Sequence, residues 1–197
     1  MSKKRALYCF VHVLAAGFLA FLPGCTFTYP VKYELSDISA RVRLDGGEYR
    51  LGSVQYLPAD SGQMAPTQIA CSGLPGHCHN HNFDQPMTEV VRNALTSELQ
   101  AAGAKESGQG RNIIQVEIVE VLAEQRGLGY GGWRPYFHMR VQVKKSSGAV
   151  VYTRDFGRMT KTPGATTGWV EDIMVVMREA MSTLIADPDF GVALKGR

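Results

Sequence analysis

Excess charge is missing from most of this chain. Its 197 residues include 21 basic and 18 acidic side chains, but Lys3, Lys4 and Arg5 account for the whole excess, because the first 24 residues contain no Asp or Glu. The other 18 basic residues therefore equal the 18 acidic residues in number. A balanced chain lacks the positive surface that nucleic-acid binding requires, so the sequence argues against that class of function.

Catalytic motifs are missing too. The sequence contains no Gly-x-Ser-x-Gly nucleophile elbow, no His-Glu-x-x-His zinc motif and no phosphate-binding loop of the Gly-Lys-Ser/Thr type. Gly127, Gly129 and Gly132 match the letters of a dinucleotide fingerprint, but that motif must open a helix, and here a strand is predicted to follow it. We therefore expect no enzymatic activity and no cofactor.

The N-terminal segment, in contrast, carries a clear pattern. Three basic residues precede an apolar run from Ala6 to Leu22, an order typical of a secretory signal peptide. The following Leu22-Pro23-Gly24-Cys25 resembles the lipobox of bacterial lipoproteins, which implies cleavage before Cys25 and acylation of its thiol and its new amino group. The alternative is a retained transmembrane helix, since the run is close to the minimum of about 17 residues that spans a bilayer.

This pattern predicts the organisation of the chain. We expect a signal peptide over residues 1–24, a lipidated tether over 25–37 and a single domain over 38–197. Cys25 is followed by Thr26, whereas an aspartate there would imply retention at the inner membrane. The resemblance therefore implies a protein anchored by lipid to the outer membrane, at its periplasmic face.

Only four cysteines are present, and two of them lie in a loop rich in histidine. Cys71 and Cys78 form an even pair that an oxidising compartment is expected to join as a disulfide. His77, His79 and His81 alternate beside them, and imidazole and thiolate are the ligands that zinc and copper prefer. Two interpretations stay open: a disulfide-closed loop with solvated histidines, or a periplasmic metal site formed by the three histidines.

Hydrophobic periodicity indicates two amphipathic helices and several strands. Apolar residues recur at helical spacing between Met87 and Ala102 and again between Val170 and Ile185, with Asp84 expected to cap the first helix. Alternation predicts strands over 49–57, 112–121, 137–144 and 149–156, with a bulge at Gly52, a change of phase at Val119 and a hairpin turn at 146–148. The order predicts an α+β fold: a mixed or antiparallel sheet of four to five strands with both helices on one face.

This order of elements behind a lipobox resembles the small YajG-like outer-membrane lipoproteins. It is also similar to the two-helix sandwiches of LptE-like assembly lipoproteins and of auxiliary lipoproteins of envelope transporters. The resemblance rests on the helix with Val91, Leu95 and Leu99, on the hairpin centred on Gly148, and on the terminal residues 187–190. It implies a structural or accessory role in a larger envelope assembly.

A glycine-rich loop carries four large apolar or aromatic residues: Leu128, Tyr130, Trp133 and Tyr136. Such rotamer-poor side chains suit a protein interface or the lipid headgroup zone, and they equally suit a loop that folds back onto the core. We predict a non-enzymatic lipoprotein that binds another envelope protein through this loop or through an edge of the sheet. The alternative function is periplasmic binding of zinc or copper by the histidine loop.

Overall fold

The computed structural model describes residues 26–72, 80–125, 133–159 and 169–196. Eight strands lie in these ranges: β1 Thr26–Tyr29, β2 Glu48–Tyr56, β3 Ala70–Ser72, β4 Asn80–Phe83, β5 Lys105–Glu106, β6 Asn112–Gln125, β7 Trp133–Lys145 and β8 Val150–Met159. Four helices accompany them: α1 Leu57–Asp60, α2 Met87–Ala101, α3 Trp169–Ile185 and α4 Pro188–Lys195.

The central sheet has six strands and mixed direction. Its order is β5-β2-β6-β7-β8, and the short β3 lies beside the second half of β6. Strands β2 and β3 run parallel to β6, whereas β7 runs antiparallel to both of its neighbours, β6 and β8. A separate pair is formed by β1 and β4, which run parallel. The predicted α+β fold with a mixed sheet is confirmed.

Helices α2 and α3 cover one face of this sheet. The apolar stripe of α2 is buried from Met87 to Leu99, and that of α3 is buried from Val170 to Ile185, as their periodicity predicts. These stripes pack on the side chains that alternate inward along β6 and β7, such as Ile114. The opposite face of the sheet, here called the open face, carries polar side chains such as Glu117 and Arg140.

Two irregularities in the strands keep their apolar residues on the helix side. The register between β2 and β6 shifts between Leu51 and Val54, at the bulge predicted for Gly52. A Cβ atom at Gly52 would lie 2.9 Å from the Cγ2 atom of Ile113, so only glycine fits this close approach. The register between β6 and β7 shifts around Val119, where the sequence changes phase.

The segment before β2 lies along the domain instead of standing away from it. The backbone N–H of Val31 donates to Asp84 Oδ1 at 3.1 Å, so Asp84 holds this segment and does not cap α2. The capping prediction is wrong, because Pro86 occupies the N-cap of α2 and no side chain caps it. Further along, Tyr33 and Ser36 donate hydrogen bonds to Glu98 of α2.

Helix α4 is an addition that the sequence analysis did not predict. Asp187 caps it by accepting a hydrogen bond from the backbone N–H of Asp189 at 3.0 Å, and Pro188 takes the first helical position. Its other end is held by Asn112, whose side chain donates to the carbonyl of Leu194 at 2.7 Å. The terminal helix is thereby fixed against the start of β6.

The two ends of the sheet differ. At one end, here called the hairpin end, β6 begins and the turn 146–148 joins β7 to β8. At the other, the loop end, β3, β6 and β8 finish and β7 begins. Within the described ranges, none of the helices is long and apolar enough to cross a membrane.

Candidate functional site: the outer edge of strand β8

Strand β8 forms one edge of the sheet. It pairs with β7 from Tyr136 opposite Met159 to Lys144 opposite Val150, and in the described part of the chain no strand pairs with its other side. A ten-residue edge strand presents a row of backbone N–H and C=O groups to its surroundings. Such an edge is a template to which another chain can add a strand.

A buried carboxylate fixes β8 to the C-terminal helix. Asp187 has a side chain that is 3% exposed, and it accepts hydrogen bonds from the Tyr152 hydroxyl at 2.7 Å and from Arg154 Nη1 at 2.6 Å. Burial raises the pKa of Asp187, but the hydrogen bonds from Tyr152, Arg154 and the N–H of Asp189 outweigh it, so the pKa lies below its usual value. Burial and the bond to Asp187 raise the pKa of Tyr152.

This arrangement places one positive charge at the rim of the edge. The Arg154 side chain is 57% exposed although its guanidinium contacts the buried Asp187. Because Asp187 fixes one nitrogen of the planar guanidinium, the orientation of its remaining N–H donors is restricted as well. Arg154 is therefore a pre-oriented donor at the middle of β8.

Open grooves lie on both sides of Arg154. One, of about 600 Å³, separates β8 from the end of α3 and includes Phe156, Ala180 and Ala186 among its lining residues. The other, of about 530 Å³, separates β8 from α4 and includes Val151 and Val192. Grooves flanking an edge strand are suited to receive the side chains of an added strand.

Three valines of β8 and α4 are more exposed than is usual for apolar side chains. Val150 is 51% exposed, Val151 40% and Val192 54%. Val151 and Val192 line the second groove, and Val150 precedes Val151 at the start of β8. Apolar side chains clustered beside an available edge are typical of an interaction surface.

The charges of β8 disfavour pairing between two copies of this chain. Two copies could join their sheets into one by pairing their β8 strands antiparallel about a two-fold axis, which then passes between one residue and its own counterpart. In the two registers that pair the most residues, this central residue is Arg154 or Asp155. The first places arginine opposite arginine and the second places aspartate opposite aspartate, and like charges directly opposite are destabilising. The edge is therefore better suited to a different chain than to a second copy.

The open face of the sheet is a network of paired charges. Arg140 contacts both Glu117 of β6 and Asp155 of β8, each at 3.1 Å, and His138 lies 3.4 Å from Asp155. Glu120 and Glu124 on β6 stand opposite His138 and Arg134 on β7. Charges paired across an exposed face in this way stabilise the fold only weakly.

Most of the predicted site residues lie outside the described residues or have described backbone only. Cys25, His77, Cys78, His79, Leu128 and Tyr130 belong to the first group, and Cys71 and Trp133 to the second. The lipid attachment, the Cys71–Cys78 disulfide and the aromatic surface therefore stay predictions. Tyr136 is described: it lies half-buried on the open face, with its ring 6.4 Å from that of His138.

His81 is the one predicted metal ligand whose side chain is described. Its ring is buried between those of Phe27 and Tyr29, with centroids 5.6 and 5.7 Å away, and its Nδ1 atom lies 3.2 Å from the Tyr29 hydroxyl. These contacts give His81 a packing role between β1 and β4. We find no group of three or more His, Cys, Asp or Glu side chains arranged to hold a metal ion among the described residues. The metal-binding alternative stays a prediction about the histidine loop.

The pairing of Asp187 with Arg154 was not predicted from the sequence. Residues 187–190 served there only as part of the family resemblance, although aspartate followed by proline is also an N-terminal helix signal. That signal predicts α4 and the cap, but it carries no information about Tyr152 and Arg154, which are more than thirty residues away in sequence. Only the fold brings them together.

Comparison with known proteins shows similarity of fold alone. No protein-family model and no curated protein sequence matches this chain. Protein XCC0632 of the DUF330 family from Xanthomonas campestris is similar with a TM-score of 0.59 and 11% identity, over 86% of this chain and 96% of that one. An uncharacterised protein is similar with a TM-score of 0.50 and 13% identity, over 82% and 95%. A minor lipoprotein from Acinetobacter baumannii has a TM-score of 0.33 and 12% identity, over 62% and 93%, too little for any argument.

Proposed function

We propose that this chain is a lipid-anchored, non-enzymatic accessory protein of the bacterial envelope, which binds another envelope protein along the outer edge of β8. The observation that carries the binding role is that edge: ten residues of strand with no partner on one side in the described ranges, bordered by two grooves and three exposed valines. Backbone groups there supply affinity and the grooves supply specificity.

The chemistry of the edge defines the partner. An added strand would place apolar side chains against Val151 and Val192, and an acidic side chain near Arg154. Self-association is disfavoured by the charge pattern of β8. We therefore expect a heterologous partner that contributes an extended segment.

The anchoring part of the proposal rests on the sequence. The basic, apolar and Leu-Pro-Gly-Cys pattern of residues 3–25 supports export and acylation of Cys25, and the outer membrane is supported by the absence of aspartate at position 26. Two or more acyl chains give stable attachment where a single chain is marginal.

Native mass spectrometry of the full-length protein, extracted from its own envelope in mild detergent, tests both parts. We expect a chain that begins at Cys25, carries the mass of the lipid and is bound in fixed ratio to a second protein. A lone acylated chain would contradict the accessory role, and an unacylated chain would contradict the anchor. A lone acylated chain with a metal-sized adduct would instead favour the metal-binding function.

A further inference from the structure

The anchor position and the described domain are separated by almost no chain. Thr26 directly follows Cys25 and already lies in β1, paired with Asn80 of β4. One residue spans at most about 3.6 Å, whereas a flexible tether over residues 26–37 would reach roughly 40 Å. A lipid on Cys25 would therefore hold Thr26 close to the surface of the bilayer.

Thr26 lies at the loop end of the molecule. Its partner strand β4 returns beside β3, since the N–H of Ile69 donates to the carbonyl of His81 at 2.9 Å. Strand β3 in turn pairs with residues 122–124, close to the end of β6. The residue next to the predicted anchor thus shares one end of the domain with the last residues of β6.

Helix α3 begins at the same end. Pro30, just after β1, lines a groove together with Val170 and Glu171 of the first turn of α3. Farther along both segments, Glu34 contacts Arg178 at 3.5 Å, so the two run side by side away from the loop end. Trp169, the first residue of α3, therefore lies near the start of the described chain.

Both tryptophans of the sequence belong to this end. Trp133 is the first residue of β7 and Trp169 is the first residue of α3. The side chain of Phe27, beside the anchor, is 43% exposed. The hairpin end, about 40 Å away along the thirteen residues of β7, has no tryptophan. Aromatic residues are enriched where proteins meet the headgroup zone of a bilayer.

We propose that the loop end rests on the lipid bilayer, with β1 and the first residues of β7 and α3 at headgroup level and the hairpin end pointing away from the membrane. This inference rests on acylation of Cys25 in the proposed function. Because β8 runs from the hairpin end to the loop end, the strand is then directed along the membrane normal. Its outer edge faces sideways, where a partner can reach it. Docking restricts the domain to one orientation.

Intrinsic tryptophan fluorescence tests this orientation without any substitution. The acylated full-length protein is reconstituted in phosphatidylcholine vesicles whose acyl chains carry bromine, after flotation with the vesicles has been measured. We expect the fluorescence to fall by half or more relative to unbrominated vesicles. A smaller loss in protein that floats would overturn the docked orientation and leave the anchor intact. If the protein does not float with the vesicles, the lipid anchor is contradicted, and this inference fails with it.

A reporter at the hairpin end separates upright docking from a domain lying flat. The variant Trp133→Phe/Trp169→Phe/Ser147→Trp carries its single tryptophan in the exposed turn between β7 and β8. We expect its loss of fluorescence to be at least fivefold smaller than that of the unsubstituted protein. A loss of fluorescence larger than one fifth of that in the unsubstituted protein would overturn the upright orientation. The measurement on the unsubstituted protein decides the docking itself, even where this variant does not fold.

Discussion

Two buried carboxylates, Glu98 and Asp187, fix the two terminal parts of this molecule, and their surroundings differ. Glu98 on α2 is 0% exposed and accepts hydrogen bonds from Tyr33 at 2.6 Å, from Ser36 and from Ser39. No cation is among these donors. Asp187 also accepts from a tyrosine, but its second side-chain partner is an arginine exposed to solvent.

The difference separates a purely structural cluster from one that reaches the surface. Around Glu98, neutral donors satisfy the carboxylate inside the protein and leave nothing for a ligand to contact. Around Asp187, the buried carboxylate orients Arg154 at the rim of the β8 edge. Of the two buried acids, only Asp187 therefore has a hydrogen-bond partner that extends to the surface.

The largest expected effect is the loss of Glu98. Glu98→Ala leaves the hydroxyls of Tyr33, Ser36 and Ser39 without their acceptor, so we expect the free energy of unfolding to fall by about 3–5 kcal/mol. Urea denaturation measures this free energy of unfolding. Glu89→Ala, at an exposed position of the same helix, is the control and should change stability by about 0.5 kcal/mol or less. Equal effects of the two variants would contradict the role of Glu98.

Loss of Asp187 should cost less. Asp187→Ala removes the cap of α4 and leaves the Tyr152 hydroxyl unpaired, while Arg154 remains solvated, so we expect a loss of about 2–4 kcal/mol. The matched control is Asp189→Ala, an exposed acid in the first turn of the same helix. A stability loss for Asp187→Ala no larger than that of its control would show that Asp187 does not hold α4.

The contribution of Asp187 should also depend on pH. Because its pKa is lowered on folding, the ionised form stabilises the protein above the pKa of the unfolded chain, and this stability is lost as the pH falls through the folded value. The stability gap between the unsubstituted protein and Asp187→Asn should therefore narrow below about pH 4. Urea midpoints from pH 7 to pH 3 measure it. A gap that widens on acidification would contradict the lowered pKa.

The smallest effect on stability is expected at Arg154. Its side chain is mostly exposed, so Arg154→Ala should lower the free energy of unfolding by less than Asp187→Ala does. Binding of the envelope partner should nevertheless weaken at least about tenfold, as for a charged contact at an interface. Arg50→Ala, at an exposed position of β2, should leave binding unchanged. An equal loss of affinity in both variants would contradict the assignment of the interface to the β8 edge.

Patterns within single segments were the part of the fold that the sequence predicted well. The apolar stripes of α2 and α3, the bulge at Gly52 and the turn at Gly148 each depend on residues close together in the chain, and each is confirmed. Pairings between distant segments were not predicted. The parallel contact of β1 with β4 joins residues more than fifty positions apart, and no local pattern specifies it.

The same limit applies to the two carboxylates. Glu98 lies four residues after Ala94 and three after Leu95, on the apolar stripe of α2, so its burial could have been predicted from spacing. Its donors, some sixty residues earlier in the chain, could not. An edge of the sheet was predicted as one possible partner surface, but which strand forms that edge depends on the order of the strands, which is a property of the whole fold.

Site-specific photocrosslinking in the envelope tests the central claim, that the edge of β8 binds a partner, most directly. A photoreactive side chain replaces Thr153 on the edge or, as the matched control, Gln142, which is its register partner on β7. The account predicts an adduct with one envelope protein from position 153, its loss in Arg154→Glu, and no adduct from position 142. No adduct from position 153, or equal adducts from both positions, would contradict the account.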